Sequence, residues 1–356
     1  MAKSKSIKAK LITIGIVLVI YIVCQILIAT GSMSNLMKGL LVPLCYYSIL
    51  AVSLNLTVGI LGELSLGHAG FMCVGAFTSS FFSKTMENVI ENALIRFTIA
   101  IIIGALSAAL FGMIIGVAVL RLRGDYLAIV TLAFGEIIKN VINVLYIGID
   151  SNGLHFSVED SMSLNLLEDG EAILNGPRGI TGTPKNATFT IAIILLILTY
   201  IIITNLVNSR SGRAIMAIRD NRIAAETMGI HITRFKILAF SISAGLAGVA
   251  GVLYSHNIST LTATPKNFGY NMSIMILVFV VLGGIGNLKG SIIAAIILTL
   301  LPEYLRFMQN YRMLIYAIVL IALMIFNWNP TCIQWRKNHS LKNFLPMFFK
   351  KEKEGL

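Results

Sequence analysis

Ten long apolar runs follow one another along this chain, and no other feature constrains its fold as tightly. They lie near 11–30, 36–60, 64–83, 95–120, 125–147, 188–207, 236–256, 270–283, 287–305 and 312–327. A helix needs about 20 mostly apolar residues to cross the hydrocarbon core of a bilayer. Helices suit that core because they pair their own backbone N–H and C=O groups. A lipid-facing β-barrel is excluded, since its strands alternate apolar and polar residues and these runs are continuous. The eighth run is short, and the third and fifth carry polar groups, so eight or nine spans stand beside ten as alternatives. Of the 356 residues, 56% are apolar and 12% are charged, against about 25% charged in a soluble chain. The sequence therefore predicts an all-α polytopic membrane protein. One membrane domain covers 11–327, with a basic N-terminus over 1–10 and a basic tail over 328–356.

The first run has the basic start (Lys3, Lys5, Lys8, Lys10) and the small residues (Ala29–Gly31) of a secretory leader. Its apolar stretch is long for a leader, which makes it a retained span. Cys24, Cys45 and Cys73 fall inside apolar runs and Cys332 in the tail. Their spacing suggests neither a disulfide framework nor a metal site, and all four read as packing residues.

The net charge of +12 would suggest an anionic partner such as nucleic acid in a soluble chain. Here its distribution matters more than its sum. With the N-terminus inside, the inner segments hold the four N-terminal lysines, Arg121 and Arg123, six cations between Arg210 and Lys236, Lys289, and six in the tail: 19 of the chain's 28. The long loop 148–187 holds Asp150, Glu159, Asp160, Glu168, Asp169 and Glu171 against Arg178 and Lys185. This is the positive-inside pattern. It predicts both termini in the cytoplasm, loop 148–187 outside, and an even number of spans. Loop 148–187 is consistent with either a small folded piece or a partly disordered one.

Catalytic motifs are missing. The segment Gly283–Ser291 has glycines and a lysine, but in the wrong order for a phosphate loop and without a preceding strand. Close packing at a break between two apolar helices explains it better. No Ser/His/Asp, Cys/His or HExxH set occurs, so the sequence predicts no enzyme, no cofactor and no metal.

The most patterned segment is the inner loop 208–236. Ile215, Ile218 and Ile223 give it an apolar side, with Arg213, Arg219 and Arg222 elsewhere. Asp220 or Asn221 can cap a short helix over Ile223–Met228, and Gly229 suits the position just past its end. Ala224 and Ala225 allow a partner to approach closely. On pattern alone, an ordinary amphipathic surface loop fits equally well.

Ala224-Ala225-Glu226 with Gly229 resembles the small-small-acid core and glycine of the cytoplasmic coupling loop in ABC-importer permeases. In detail the chain resembles the branched-chain amino acid permease family, of the LivM type. The likeness lies in Gly212–Ala214 through Arg219, Ala224–Ile230 and Phe240–Gly248. It continues in Leu54–Leu56 with Gly59, Leu64–Phe71, Gly75–Thr78, Arg123–Tyr126, Thr131–Phe134, Gly176–Gly182 and Gly283–Gly286. It runs from about Pro43 to Pro302. Loop 148–175 is enlarged and the tail after Asn327 is long.

The resemblance implies a non-catalytic subunit in a prokaryotic cytoplasmic membrane. Its implied partners are a second permease, two cytoplasmic ATP-binding subunits and an extracellular amino-acid binding protein. It implies that Ala224, Ala225, Glu226, Thr227, Met228 and Gly229 meet an ATP-binding subunit.

Candidate pathway residues lie on the matched motifs and inside the spans: Asn55, Ser65, Gly67, His68, Tyr126, Thr131, Glu136 and Gly284. Ionisable groups within spans are scarce and are functional candidates for that reason. Glu136 and Lys139 share a helix face and can simply neutralise each other; His68 can simply bond a neighbouring helix. Glycine-interrupted helices expose backbone donors and acceptors to a substrate, and Gly59–Gly70 and Gly283–Gly290 are two such breaks. Gly104, Gly112 and Gly116 read as a packing stripe. Rival readings are a permease for urea, other amino acids or sugars, a secondary transporter, for which coupling residues are few, and a channel, for which no filter is visible.

Overall fold

The structure is a computed structural model and describes residues 2–119, 122, 124–167, 170–306 and 311–328. Arg121, Arg123, Glu168, Asp169, Cys332 and the tail over 329–356 lie outside the described residues. Two compact units are present, residues 1–297 and 298–356.

Every predicted apolar run contains a helix. In chain order these are α1 (Ala2–Ala29), α2 (Asn35–Asn55), α3 (His68–Thr85), α4 (Ala93–Val119), α5 (Asp125–Val144), α6 (Phe189–Asn208), α9 (Ile232–Ser255), α11 (Tyr270–Gly283), α12 (Leu288–Tyr304) and α13 (Arg312–Trp328). Short helices fall between them: α7 (Arg210–Asp220), α8 (Arg222–Thr227) and α10 (Pro265–Phe268). Among the described residues, six helical segments are long and apolar enough to cross a membrane, and Thr13–Ala29 is a shorter apolar helix. The second unit carries the end of α12 and all of α13.

Helix α9 sits at the centre of the first unit. Its run of small residues, Ala244–Gly251, is buried and lets its neighbours come to backbone contact. A Cβ added at Gly75 of α3 would collide with Gly248, and one at Gly251 with the Met72 carbonyl. On α4, Gly104 presses on Val252 and Gly112 on Ala244, as the packing stripe predicts. Helices in lipid gain little from the hydrophobic effect on meeting each other, so such close packing is what holds them together. The outward side of α4 (Ile102, Leu106, Leu110, Ile114) is exposed and apolar, as a lipid-facing surface must be.

The fifth run stops short of its predicted end at 147. Leu145 turns extended, and Tyr146 opens a strand. Loop 148–187 is largely a folded piece. Strands β1 (Tyr146–Asp150), β2 (Gly153–Ser157) and β3 (Glu171–Asn175) form an antiparallel sheet in the order β2-β1-β3. A second pair joins β4 (Ile180–Thr181) to β5 (Thr260–Leu261). Lys84 at the end of α3 fastens both sheets, pairing with Glu171 at 2.6 Å and donating to the Thr181 carbonyl at 3.1 Å. Asp150 closes the β1–β2 turn, accepting from the Asn152 N–H at 2.8 Å and from His155 Nε2 at 3.0 Å. Among the described residues Cys45 and Cys73 are buried and form no disulfide and Cys24 is partly buried, in keeping with packing roles.

Candidate translocation and coupling site

Three features meet at one end of the first unit: two helix breaks and the polar loop between α6 and α9. The first break begins where α2 loosens into a π-helical turn, Leu56–Leu61. Gly62 ends that turn with φ +80, a conformation costly for any residue with a side chain. An irregular stretch follows until α3 starts at His68. Side chains from distant helices hold this stretch in place. Thr131 Oγ1 accepts from the Leu66 N–H at 3.0 Å, and Ser273 Oγ from the Ala69 N–H at 3.1 Å. Gly67 lies so close to the Thr131 carbonyl that no Cβ would fit. His68 bonds Ser53 Oγ at 2.7 Å and is buried, the plain interhelical bond weighed for it. Among the described residues the buried Ser65 hydroxyl has no hydrogen-bond partner.

The second break spans Gly284 to Asn287, with φ of +94 at Gly284 and +81 at Gly286. Gly283 and Gly290 press together on either side of it. The two breaks touch. Gly59 abuts the Gly286 backbone with no room for a Cβ. Asn55 clasps them: its Oδ1 accepts from the Gly286 N–H at 2.8 Å, and its Nδ2 donates to Ser291 Oγ at 2.8 Å.

The polar loop is two helices, not one. Ser209 caps α7, its Oγ accepting from the Gly212 N–H at 3.1 Å. The chain then turns extended at Asn221 (φ −154, ψ 105), whose Oδ1 caps α8 by accepting from the Ala224 N–H at 3.0 Å. Of the two proposed caps, Asn221 is therefore the one used. Gly229 follows with φ +79, as a residue past a helix end should. The turn at Asn221 breaks the helical phase, so the predicted apolar side does not continue into α8. Ile215 and Ile218 are buried while Ile223 is 76% exposed. Within α8, Ala225 packs inward with Ile218 and Ile232; Ala224, Glu226, Thr227, Met228 and Gly229 face outward. A cavity of about 300 Å³ opens beside Glu226, Gly229 and His231.

Glu136 follows Gly135, which packs against Gly67 of the first break and Gly70 of α3. It pairs with Lys139, as the self-neutralising alternative requires, and also accepts from the Tyr270 N–H at 2.7 Å. A carboxylate there favours the positive end of α11. Tyr126 is 73% exposed. It belongs to a stripe with Ile129, Ile137, Val141 and Val144 along α5, all exposed. A cavity of about 740 Å³ lies between α3, α4, α5 and the sheet, walled by apolar side chains such as Phe77, Phe134, Ile138 and Ile142. Burying the charges of a zwitterion between such walls without partners would be costly.

Sequence reasoning missed the partners of these residues: Ser53, Ser273 and Ser291 among the helices, Glu63 with Lys236, and Arg219 with Gly59. It also missed a buried pair at the other end, Ser83 Oγ with His256 Nε2 at 2.8 Å. A lone serine inside an apolar run carries no signal of its partner. Among the described residues no cluster of metal-binding side chains occurs.

A body of many apolar helices, six of them among the described residues long and apolar enough to cross a membrane, defines a multi-pass membrane protein. Residues 36–325 match the family model described as the branched-chain amino acid transport system permease component, and the chain belongs to that family. Over 336 residues it is 32% identical to the high-affinity branched-chain amino acid transport system permease protein LivM of Salmonella typhimurium, covering 91% of this chain and 75% of that one. With the LivM protein of Escherichia coli the identity is 34% over 295 residues, 80% of this chain and 66% of the relative. The fructose import permease protein FruG of Bifidobacterium longum is 24% identical over 82% of this chain and 81% of its own. No solved structure matches the chain.

Proposed function

We propose that this chain is the membrane-spanning permease subunit of an ATP-driven importer, and that with a second permease it forms the path for leucine, isoleucine and valine. An extracellular binding protein delivers the amino acid, and two separate ATP-binding subunits drive transport. The observation that carries this reading is the family match across residues 36–325, together with identities of 32% and 34% to branched-chain amino acid permeases. The chain spans a prokaryotic cytoplasmic membrane through its ten apolar runs, and the positive-inside rule puts both termini and loop 208–236 inside and loop 148–187 outside.

Helix α8 is the contact for an ATP-binding subunit. Its exposed Ile223 and Met228 offer apolar anchors, Glu226 offers a charge, and the cavity beside Gly229 offers room for a side chain. The paired breaks, with Asn55, Ser65, Gly67, His68, Thr131 and Gly284, form the inner gate of the pathway, where freed backbone groups can meet the ammonium and carboxylate of a substrate. Glu136 secures α11 at the margin of that pathway. Tyr126, exposed near the start of α5, stays a further candidate for lining that pathway.

The test is complementation. In a prokaryote stripped of its own branched-chain importers, the chain with its partners should restore uptake of labelled leucine, competed by isoleucine and valine. Restored uptake of fructose without leucine would favour a sugar permease instead.

A further inference from the structure

The two breaks are bonded to the loop beneath them through one side chain. Arg219 lies in the last turn of α7, and its Nη1 donates to the Gly59 carbonyl at 2.9 Å. That carbonyl belongs to the π-helical turn, whose last carbonyls lack donors within their own helix. Asp220 fixes the guanidinium from the other side, accepting from Nε at 3.1 Å and Nη2 at 2.9 Å. The stem of Arg219 lies flat over Gly62, where an added Cβ would come within 2.5 Å of its Cγ. The planar fork is thus held at both ends, and its reach is set by the backbone it covers.

Beyond Gly59 the contacts continue. Gly59 bears on the Gly286 backbone, and Asn55 bonds Gly286 and Ser291. Four residues on, within the same break, Glu63 is paired with the buried Lys236 of α9, and α9 is wedged among α2, α3 and α4. Lys236 therefore fixes the break to the packed body just past Gly62, while Arg219 fixes it to the small helices just before Gly62.

We propose that Arg219 is a positioning residue for transport: it converts displacement of α7 and α8 into movement of the paired breaks. The proposal rests on the permease reading above. A shift of α7 pulls or releases the Gly59 carbonyl, Gly59 carries Gly286 with it, and both breaks open or close together about the Glu63–Lys236 anchor. Without Arg219 the small helices still dock an ATP-binding subunit, since the docking face assigned to that subunit runs from Ile223 to Gly229 and Arg219, though exposed, lies outside it, but their motion no longer reaches the breaks.

The experiment uses the complete complex in liposomes, with the binding protein inside the assay. It measures leucine uptake, ATP turnover and subunit composition for Arg219→Ala, Arg219→Lys and Asp220→Asn. In Arg219→Ala the complex should keep its subunits and its ATP turnover, while leucine transported per ATP falls about tenfold or more, the scale expected for losing a hydrogen bond from a charged donor. Arg219→Lys keeps one donor and should recover part of the ratio; Asp220→Asn should lower it less than Arg219→Ala. A wild-type ratio in Arg219→Ala overturns the proposal. So does a fall in uptake matched by an equal fall in ATP turnover or by loss of subunits, which marks a structural role. If the wild-type complex carries another solute and not leucine, the substrate reading fails, and the same ratio measured with that solute still decides the role of Arg219.

Discussion

Replacing Asn55 with leucine removes the clasp between the breaks while keeping the side chain's approximate size. Two hydrogen bonds disappear. The bond to Ser291 joins two helices, and such side-chain bonds within membranes are worth about 0.6 kcal/mol on average and about 1.7 at most. Ser291 Oγ keeps a second contact, to the Asn287 carbonyl at 3.3 Å, so it is not stranded. Gly286 is exposed, so water can replace the acceptor its N–H loses, and that bond is worth about 0.5–1.5 kcal/mol. Together the loss is about 1–3 kcal/mol. Ser291→Ala should cost less, because Asn55 keeps its bond to Gly286, and the double variant should fall well short of the sum of the two singles. Thermal unfolding of the purified complex, read beside leucine uptake, gives both numbers. If Asn55→Leu unfolds and transports like the wild type, the clasp does not hold the breaks together.

Gly229→Val puts a β-branched residue at φ +79 where nothing crowds the Cβ, so the cost of about 1–2 kcal/mol is backbone strain alone. It and Glu226→Lys should leave membrane insertion intact and lower leucine uptake, measured against the amount of permease in the membrane. Lys236→Met strands Glu63 and should destabilise the complex by about 3–5 kcal/mol, while adding Glu63→Leu should restore most of it, as thermal unfolding will read. Burial raises the Asp150 pKa, but the N–H groups of Asn152 and Leu167 and the side chain of His155 outweigh it and hold the carboxyl below its usual value. Its contribution to the outer sheet is therefore complete above the unfolded carboxylate's range and fades as pH falls through the lower folded value. Hydrogen exchange at 146–157 should rise on that acidification and should respond less in Asp150→Asn. Cysteine labelling on intact cells should reach position 165 from outside and spare position 220.

The runs of apolar residues made the helices legible, because lipid demands length and hydropathy and little else. The breaks were legible from glycine spacing, and the cap of α8 to within two residues, Asp220 or Asn221, of which the structure uses Asn221. What ties these parts together was not. Arg219 and Gly59 lie 160 residues apart, Lys236 and Glu63 173, and Gly286 and Asn55 231, and no local period marks such pairs. Ile223 was assigned to the wrong side because one extended residue at Asn221 resets the phase between two helices. The strands of the outer sheet run at most five residues, too short for alternation to stand out beside the apolar helix that feeds them.

The most direct measurement is uptake by a fully defined system: this chain, its second permease, the two ATP-binding subunits and the binding protein, purified and placed in liposomes. Labelled leucine should accumulate only when ATP and the binding protein are both present, and this chain alone should neither hydrolyse ATP nor move leucine. Uptake by the chain alone, or uptake driven by an ion gradient without ATP, would contradict the account.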